Sequence, residues 1–147
     1  MAEVKIRTAE PHDFKSIIRI FKTEYSKPPY KEHWSTKLIR QRILQDFKNC
    51  GIFVLDIEKK VKGFLILGMR TWDLGKQGFI EEIVITAPFQ GKGYGTKLLL
   101  FAEKWFTKKG AKSIVLITSP KAKAFQIYTK RFNYQEEGLV SMRKNIG

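Results

Sequence analysis

The stretch Gln90–Gly95, which reads QGKGYG, decides the fold because of the segments on either side of it. Residues 79–86 have the apolar pattern of a buried strand, and residues 96–108 carry apolar side chains at helical spacing. In a glycine-rich turn between a strand and a helix, successive main-chain N–H groups converge on an anion, and the helix dipole adds positive potential. The stretch therefore predicts a phosphate-binding turn, with a tight turn of purely geometric purpose as the alternative.

Two familiar nucleotide-binding motifs do not fit these glycines. A dinucleotide fingerprint lies near the first strand, with an acidic residue at the end of the next strand. Here the glycines lie past the middle of the chain, and the strand predicted over residues 113–118 ends without an acidic residue. A Walker loop closes on Gly-Lys-Ser/Thr, which the sequence at residues 93–96 does not supply.

Length and composition predict one globular domain over residues 1–147. The chain has 147 residues, of which 43% are hydrophobic, enough to bury a sizeable core. No apolar run approaches the roughly 18 residues of a membrane span. The first residues lack the apolar segment of a signal peptide, and the single cysteine, Cys50, suits a reducing compartment. We therefore expect a cytoplasmic protein, monomeric or homodimeric, with no membrane partner.

The net charge of +14 favours an anionic partner. Nucleic acid, anionic lipid and a phosphorylated cofactor or substrate all fit that charge. The basic residues are scattered and form no basic tail, so charge alone does not choose among these partners.

The periodicity predicts the order β-α-α-β-β-β-α-β-α-β in one mixed sheet. A first strand is predicted over residues 4–7, and Pro11 opens a helix. Ser35 or Thr36 caps a second helix. The residues predicted to face inward from these two helices are Phe14, Ile17, Ile18 and Phe21, then Ile39, Ile43, Leu44 and Phe47. The later elements are a hairpin of residues 51–58 and 62–70, a looser connection over 72–75, the strand, turn and helix of residues 79–108, a strand over 113–118, a helix over 120–131 and a terminal strand over 139–144.

Three polar residues near the glycine stretch are candidates for proton transfer. Glu81 and Glu82 are consecutive on a predicted strand, so alternation places one on each face. A carboxylate facing a cleft between apolar residues has a raised pKa and suits a general base; pairing with lysines is the alternative. Tyr128, in the late helix, would donate a proton or simply pack with its hydroxyl at the surface.

Together these residues resemble the GNAT superfamily of acyl-CoA-dependent N-acyltransferases. The family's turn pattern, Q/R-x-x-G-x-G/A, is matched by Gln90, Gly93 and Gly95. The strand before the turn matches over residues 83–90, with one extra residue before the proline. The late-helix pattern A-x-x-x-Y is matched by Ala124 and Tyr128.

The resemblance implies an α+β fold in a single domain. Its sheet would be mixed and mostly antiparallel, with helices on both faces and a splay between the strands on either side of the helix that follows the turn. Acetyl-CoA would be the acyl donor, with its pyrophosphate on the turn and its pantetheine arm in the splay; no metal is expected. The implied cofactor-binding residues are Ile83, Val84, Ile85, Gln90, Gly91, Lys92, Gly93, Tyr94, Gly95, Thr96, Ala124, Phe125 and Tyr128.

The implied reaction is N-acetylation of a primary amine of a small molecule or peptide, by direct attack in a ternary complex. The resemblance implies that Tyr128 is the general acid. Glu81 is the better candidate for the base, because alternation puts it on the face of Ile83 and Ile85. A bulge in the strand would reverse that choice in favour of Glu82.

The acceptor site implied by the resemblance lies between the first two helices and the loop before the strand of residues 79–86. Aromatic side chains near a carboxylate seat an amine by cation–π and ionic contacts. Core packing or loop anchoring is the alternative for each tryptophan. The candidates are Tyr30, His33, Trp34, Trp72 and Asp73.

Two other classes of function are compatible with part of the sequence. A nucleic-acid-binding module is supported by charge and by 13% aromatic content, but the aromatic residues follow helix-core spacing, which argues against it. An acyl-CoA-binding sensor without catalysis would share the fold. The presence of Glu81 or Glu82 together with Tyr128 favours an enzyme.

Overall fold

A computed structural model describes residues 2–147, which form a five-stranded sheet and three α-helices. Among residues 2–147, no helix combines the length and the apolar composition of a membrane-spanning segment. The strands are β1 (Val4–Thr8), β2 (Gly51–Ile57), β3 (Lys60–Trp72), β4 (Gly75–Ile85) and β5 (Ser113–Leu116). The α-helices are α1 (Phe14–Tyr25), α2 (Thr36–Asn49) and α3 (Tyr94–Lys108). Single 3₁₀ turns at Pro11–Asp13 and Ala87–Phe89 and a π-helical turn at Ile127–Arg131 complete the elements.

The sheet is mixed, and its strands lie in chain order from β1 to β5. The pairs from β1 to β4 are antiparallel, and only β4 and β5 run parallel. One apolar core, around Phe21 and Phe64, joins α1 and α2 to one face of the sheet. A second core, around Leu65 and Phe106, joins α3 to the other face. The predicted α+β fold with helices on both faces is confirmed.

The first two helices begin where the sequence predicts. Asp13 is buried before α1, and its carboxylate accepts two hydrogen bonds from Arg7, at 2.8 and 3.0 Å. Ser35 caps α2 by accepting a bond from the main-chain N–H of Leu38.

The prediction that Leu44 and Phe47 face inward is wrong: they are 47% and 43% exposed. The buried residues of α2 are Ile39, Ile43 and Asp46. These three lie on one face of the helix, and the two predicted residues fall on its flank.

The connection predicted as loose over residues 72–75 is a tight hairpin. Trp72 pairs with Gly75, so only Asp73 and Leu74 form the turn. Gly75 has φ of +122°, which a residue with a side chain rarely adopts. Both strands of the hairpin are consequently longer than predicted.

The two parallel strands separate beside the glycine stretch. Their pairing runs from Gln77 with Ser113 to Ile80 with Leu116, and β5 ends there. β4 continues to Ile85, so the side of its segment Glu81–Ile85 that would face β5 has no partner strand. β5 is shorter than predicted: the next residue, Ile117, lies outside the sheet and is 74% exposed.

The carboxyl-terminal part departs most from the prediction. The helix predicted over residues 120–131 is reduced to a short segment ending in the π-helical turn. The strand predicted over residues 139–144 does not form, and Leu139 and Met142 are 82% and 89% exposed. A strand needs a partner for its main-chain groups, and β5 is too short to provide one over that length.

Candidate active site

The glycine turn, residues 90–96, presents free main-chain donors at the start of α3. Gly91 and Gly93 have φ of +73° and +89°, and a Cβ built on either would meet nothing within 4 Å. No acceptor among residues 2–147 is bonded to the N–H groups of residues 91–96. The first closed bond of the helix runs from the N–H of Lys97 to the carbonyl of Gly93, at 3.2 Å. These donors face open space at the positive end of the helix dipole, as an anion site requires.

Gln90 ties this turn to the neighbouring elements. Its amide nitrogen donates to the carbonyl of Ile85 at 2.7 Å and to the carboxylate of Glu24 at 3.0 Å. The turn is therefore anchored to the end of β4 and to α1. The ammonium groups of Lys62 and Lys92 lie 5.2 and 5.5 Å from the ring of Phe89, which adds positive charge beside the turn.

The open edge of β4, residues 81–85, leads directly from the splay to the glycine turn. Ile83 and Ile85 are half-buried against the α3 core, whereas Val84 packs in the core of α1 and α2. An unpaired strand edge offers main-chain donors and acceptors to an extended ligand, as it would to an added strand.

A β-bulge changes the predicted orientation of the two glutamates. Ile66 pairs with Glu82 and Leu67 pairs with Ile80, so Glu81 is the extra residue. Carboxylate oxygens of Glu81 and Glu82 both approach Nη2 of Arg42, at 3.8 and 3.4 Å. The expectation that the glutamates face opposite sides of the sheet is wrong, because the bulge interrupts the alternation.

Glu82 lies in the more enclosed position. Its side chain is 12% exposed, and the hydroxyl of Tyr25 donates to its Oε1 at 2.5 Å. Burial raises the pKa of Glu82 to about 7, although the Tyr25 hydrogen bond and Arg42 oppose that rise. Burial and the Glu82 carboxyl raise the pKa of Tyr25 well above its ordinary value, so the phenol stays the donor. A carboxyl that titrates near neutrality suits a general base.

Glu81, Asp46 and Cys50 also lie near Arg42. Burial raises the pKa of Glu81 and of Asp46, and Arg42 opposes both shifts. Arg42 donates to Asp46 at 2.9 Å, which fixes the guanidinium between the carboxylates. Burial also raises the pKa of the Cys50 thiol to about 11, so this cysteine is not poised as a nucleophile.

Tyr128 is held on the opposite side of the sheet from Arg42. It is 6% exposed within the α3 core, and its N–H donates to the carbonyl of Ala124 at 3.1 Å. No side chain of residues 2–147 is hydrogen-bonded to its hydroxyl, yet that oxygen is not fully enclosed. Burial raises its pKa above the ordinary range, and nearby Tyr30 adds to that shift. The phenol is therefore protonated and free to donate. Phe125 follows Ala124 and is half-buried.

The structure brings only part of the predicted acceptor set near these groups. The ring of Tyr30 lies 5.2 Å from that of Tyr25. Trp34 packs against Phe21 at 4.9 Å, and its indole N–H donates to Glu32 at 2.6 Å.

Trp34 also lines an open groove of about 390 Å³ on the outer side of α1. The other residues around this groove are Lys22, Ser26, Glu32, His33 and Ser35.

Trp72 and Asp73 lie at the tip of the β3–β4 hairpin. The strand between Ile66, opposite Glu82, and Trp72 spans roughly 20 Å. Trp72 is 54% exposed and stacks under the guanidinium of Arg70 at 4.5 Å.

Comparison with known proteins identifies the family. The sequence profile described as the acetyltransferase (GNAT) family matches residues 14–134, most of the chain. The chain belongs to the GNAT acetyltransferase family. No curated protein sequence matches it significantly.

Solved GNAT structures share the fold at low sequence identity. The aminoglycoside N-acetyltransferase AAC(6')-Iy in complex with CoA has a TM-score of 0.76 and 20% identity, covering 99% of this chain and 97% of that chain. Glucosamine-6-phosphate N-acetyltransferase from Arabidopsis thaliana has a TM-score of 0.72 and 19% identity, covering 99% of both chains. An acetyltransferase from Trypanosoma brucei has a TM-score of 0.76 and 17% identity, covering 98% and 100%. At these identities the likeness shows the fold.

Sequence reasoning missed Tyr25, Arg42 and Asp46, which surround the glutamates of this GNAT chain. Tyr25 continues the apolar face of α1 by one turn beyond Phe21, so its ring could have been expected to point inward. Arg42 and Asp46 are four residues apart on the buried face of α2. A charged pair on an otherwise apolar helix face indicates a buried polar partner on another element of the fold. The spacing of Arg42 and Asp46 therefore offered a way to predict such a partner from the sequence.

Proposed function

We propose that this chain, as one domain over residues 1–147, is an N-acetyltransferase. It transfers the acetyl group of acetyl-CoA to a primary amine of a small molecule or peptide, by direct attack within a ternary complex. Family membership supports an acetyltransferase. The names of two relatives of the same fold, an aminoglycoside and a glucosamine-6-phosphate N-acetyltransferase, support an amine as acceptor.

One observation carries the proposal: free main-chain donors and an open strand edge adjoin each other. The N–H groups of residues 91–96 bind the diphosphate of acetyl-CoA, and the edge of residues 83–85 binds the pantetheine arm. Ala124 and Phe125 belong to the same cofactor site, as the family resemblance implies. Gln90 positions the turn instead of binding the ligand directly, because its amide is engaged with Ile85 and Glu24.

Acid and base come from opposite sides of the sheet. Glu82 accepts the proton that the amine must lose, since its carboxyl titrates near neutrality. Tyr128 donates a proton to the leaving sulfur, since its hydroxyl is protonated and has no partner within residues 2–147. Glu81 helps to keep Arg42 in place. Acetyl-CoA supplies the activated acyl group.

The acceptor enters on the side of α1 and α2. Tyr30 and Trp34 line its path, and the carboxylate of Glu32, held by the Trp34 indole, attracts its positive charge. Trp72 and Asp73, at the hairpin tip, contact only an extended acceptor such as a peptide.

The test combines binding and turnover with acetyl-CoA and a panel of amines, polyamines and peptides. Thermal shift reports binding, and release of the free CoA thiol reports turnover. We expect Tyr128→Phe to lower kcat by about a hundredfold or more while the acetyl-CoA Kd stays within about twofold. The ring remains in place, so binding is preserved and only the proton donor is lost.

The outcomes separate the rival functions. Absence of any thermal shift with acyl-CoA would overturn the proposal. Binding without turnover on every acceptor would instead favour the acyl-CoA sensor. A Tyr128→Phe variant with full activity would remove Tyr128 from the chemistry and leave the rest of the assignment standing.

A further inference from the structure

The last turn of α1 places the hydroxyl of Tyr25 against the carboxyl of Glu82. The donor oxygen lies 2.5 Å from Oε1, although the two residues are 57 positions apart in the chain. The Tyr25 ring is itself fixed on two sides, with ring centroids 4.8 Å from Phe21 and 5.2 Å from Tyr30. The position of the hydroxyl is therefore set by core packing before any substrate binds.

The other oxygen of Glu82 is held less tightly. Nη2 of Arg42 lies 3.4 Å from Oε2, beyond the usual range of a strong charged hydrogen bond. The same guanidinium donates to Asp46 at 2.9 Å and lies 3.8 Å from Glu81, so its charge is shared. Tyr25 is consequently the partner that fixes the orientation of Glu82.

Charged and titratable groups face Glu82 from several elements. They are Tyr25 on α1, Arg42 and Asp46 on α2, Glu32 on the connection between these helices, and Glu81 on β4. Burial raises the pKa of Glu82 most; Tyr25 and Arg42 lower it, while Glu32 and Asp46 raise it slightly further. Because Arg42 is shared, the hydroxyl is the main local group that favours the charged carboxylate.

We propose that Tyr25 is a positioning residue for proton transfer: its hydroxyl donates to Oε1 of Glu82, fixes the orientation of the carboxyl and favours its ionised form. The inference rests on the proposed function, in which Glu82 is the base that deprotonates the acceptor amine. Tyr25 itself exchanges no proton in the reaction.

The direct test follows the Glu82 carboxyl carbon by ¹³C NMR during a pH titration of the full chain labelled at glutamate. Glu82→Gln identifies the resonance by its loss. In Tyr25→Phe, which keeps the ring and its packing, we expect the Glu82 pKa to rise by about one unit, because a hydrogen bond to the charged form is removed.

Tyr134→Phe is the matched control. It also removes a phenol that donates to a carboxylate, here Glu103 at 3.1 Å, but away from Glu82. We expect the Glu82 titration to be unchanged in this variant. A Glu82 titration that is equally unchanged in Tyr25→Phe would overturn the proposal and reduce Tyr25 to a packing residue.

Kinetics separates this inference from the proposed function on which it rests. In the profile of kcat/KM against pH, the acid limb of Tyr25→Phe should shift to higher pH by the same amount as the Glu82 pKa. Activity should recover as the pH is raised. If the carboxyl titration moves and the acid limb does not, Glu82 is not the base, and that result overturns the positioning role together with the base assignment. A matching shift in both measurements supports both.

Discussion

The glycine turn and the carboxylate cluster, which comprises Tyr25, Arg42, Asp46, Glu81 and Glu82, are built in opposite ways. The turn works through main-chain groups of consecutive residues and is open, with no atom within 4 Å of a Cβ placed on Gly91 or Gly93. The cluster works through side chains brought from α1, α2 and β4, and it is half-buried. We therefore expect the turn to determine cofactor binding and the cluster to determine proton transfer.

This contrast predicts that changes in the cluster affect turnover and changes in the turn affect cofactor affinity. We expect Glu82→Gln to lower kcat by about 10²–10⁴-fold, because the base is lost while its shape and its contact with Tyr25 remain. Acetyl-CoA affinity should change little. Steady-state kinetics combined with calorimetry measures both quantities.

Glu81→Gln is the matched control for that experiment. It is the adjacent residue, it makes the same substitution and it also faces Arg42, but the bulge places it away from Tyr25. We expect a loss in kcat of less than about tenfold. Equal losses in the two variants would show that Arg42 and its carboxylates act as one unit, and a larger loss in Glu81→Gln would reverse the assignment of the base.

The glycine turn gives the next largest effect. Gly93 and Gly110 have φ of +89° and +83°, and a Cβ on either would meet nothing within 4 Å. Each change to alanine should therefore cost about 1–2 kcal/mol of stability. Only Gly93→Ala should also weaken acetyl-CoA binding, by about tenfold or more, because its methyl group would stand where we propose that the diphosphate binds.

Calorimetric titration with acetyl-CoA and thermal unfolding of both variants measure these two losses separately. If both variants bound the cofactor as the parent chain does, the glycines of residues 90–95 would serve only to reverse the chain direction.

The same contrast explains how far the sequence predicts the site. The turn, the strand before it and the helix after it are contiguous, so one local pattern specified all three, and the structure starts α3 within two residues of the predicted position. The splay followed from the resemblance, and the register of β4 and β5 bears it out.

The cluster could be predicted only in part, because its geometry depends on partners that are distant in the chain. Glu81 and Glu82 were found from their position on the strand. Their orientation depends on a bulge that appears only when β4 is paired with β3. Tyr25 and Arg42 contact Glu82 across 57 and 40 positions, a separation that no local periodicity encodes.

The prediction of a terminal strand over residues 139–144 is wrong for a related reason. Apolar residues at positions 139, 140 and 142 suggested a strand, but strand formation requires an edge to pair with. β5 ends at Leu116, and the terminal residues remain exposed.

The last effect concerns stability rather than activity. The pKa of Glu82 is about 7 in the folded chain, against an ordinary value of 4.5. Between these values the folded chain retains a proton that the unfolded chain releases, so the free energy of unfolding should fall as the pH rises through this window. Glu82→Gln lacks this titration. The parent chain should lose about 2–3 kcal/mol relative to Glu82→Gln between about pH 4.5 and pH 7.

Urea unfolding of both proteins at several pH values gives that difference directly. The ion pair of Asp13 with Arg7 is a built-in reference, because Arg7 lowers the pKa of Asp13 below its ordinary 3.8 and its stabilisation is lost only as the pH falls below that value. That acid-side loss is common to both proteins and cancels in the difference. A difference that stays constant from pH 4.5 to pH 7 would mean that Glu82 ionises as it does in water. Tyr25 and Arg42 would then cancel the effect of burial on the carboxyl, and the carboxylate cluster would not hold a base that titrates near neutrality.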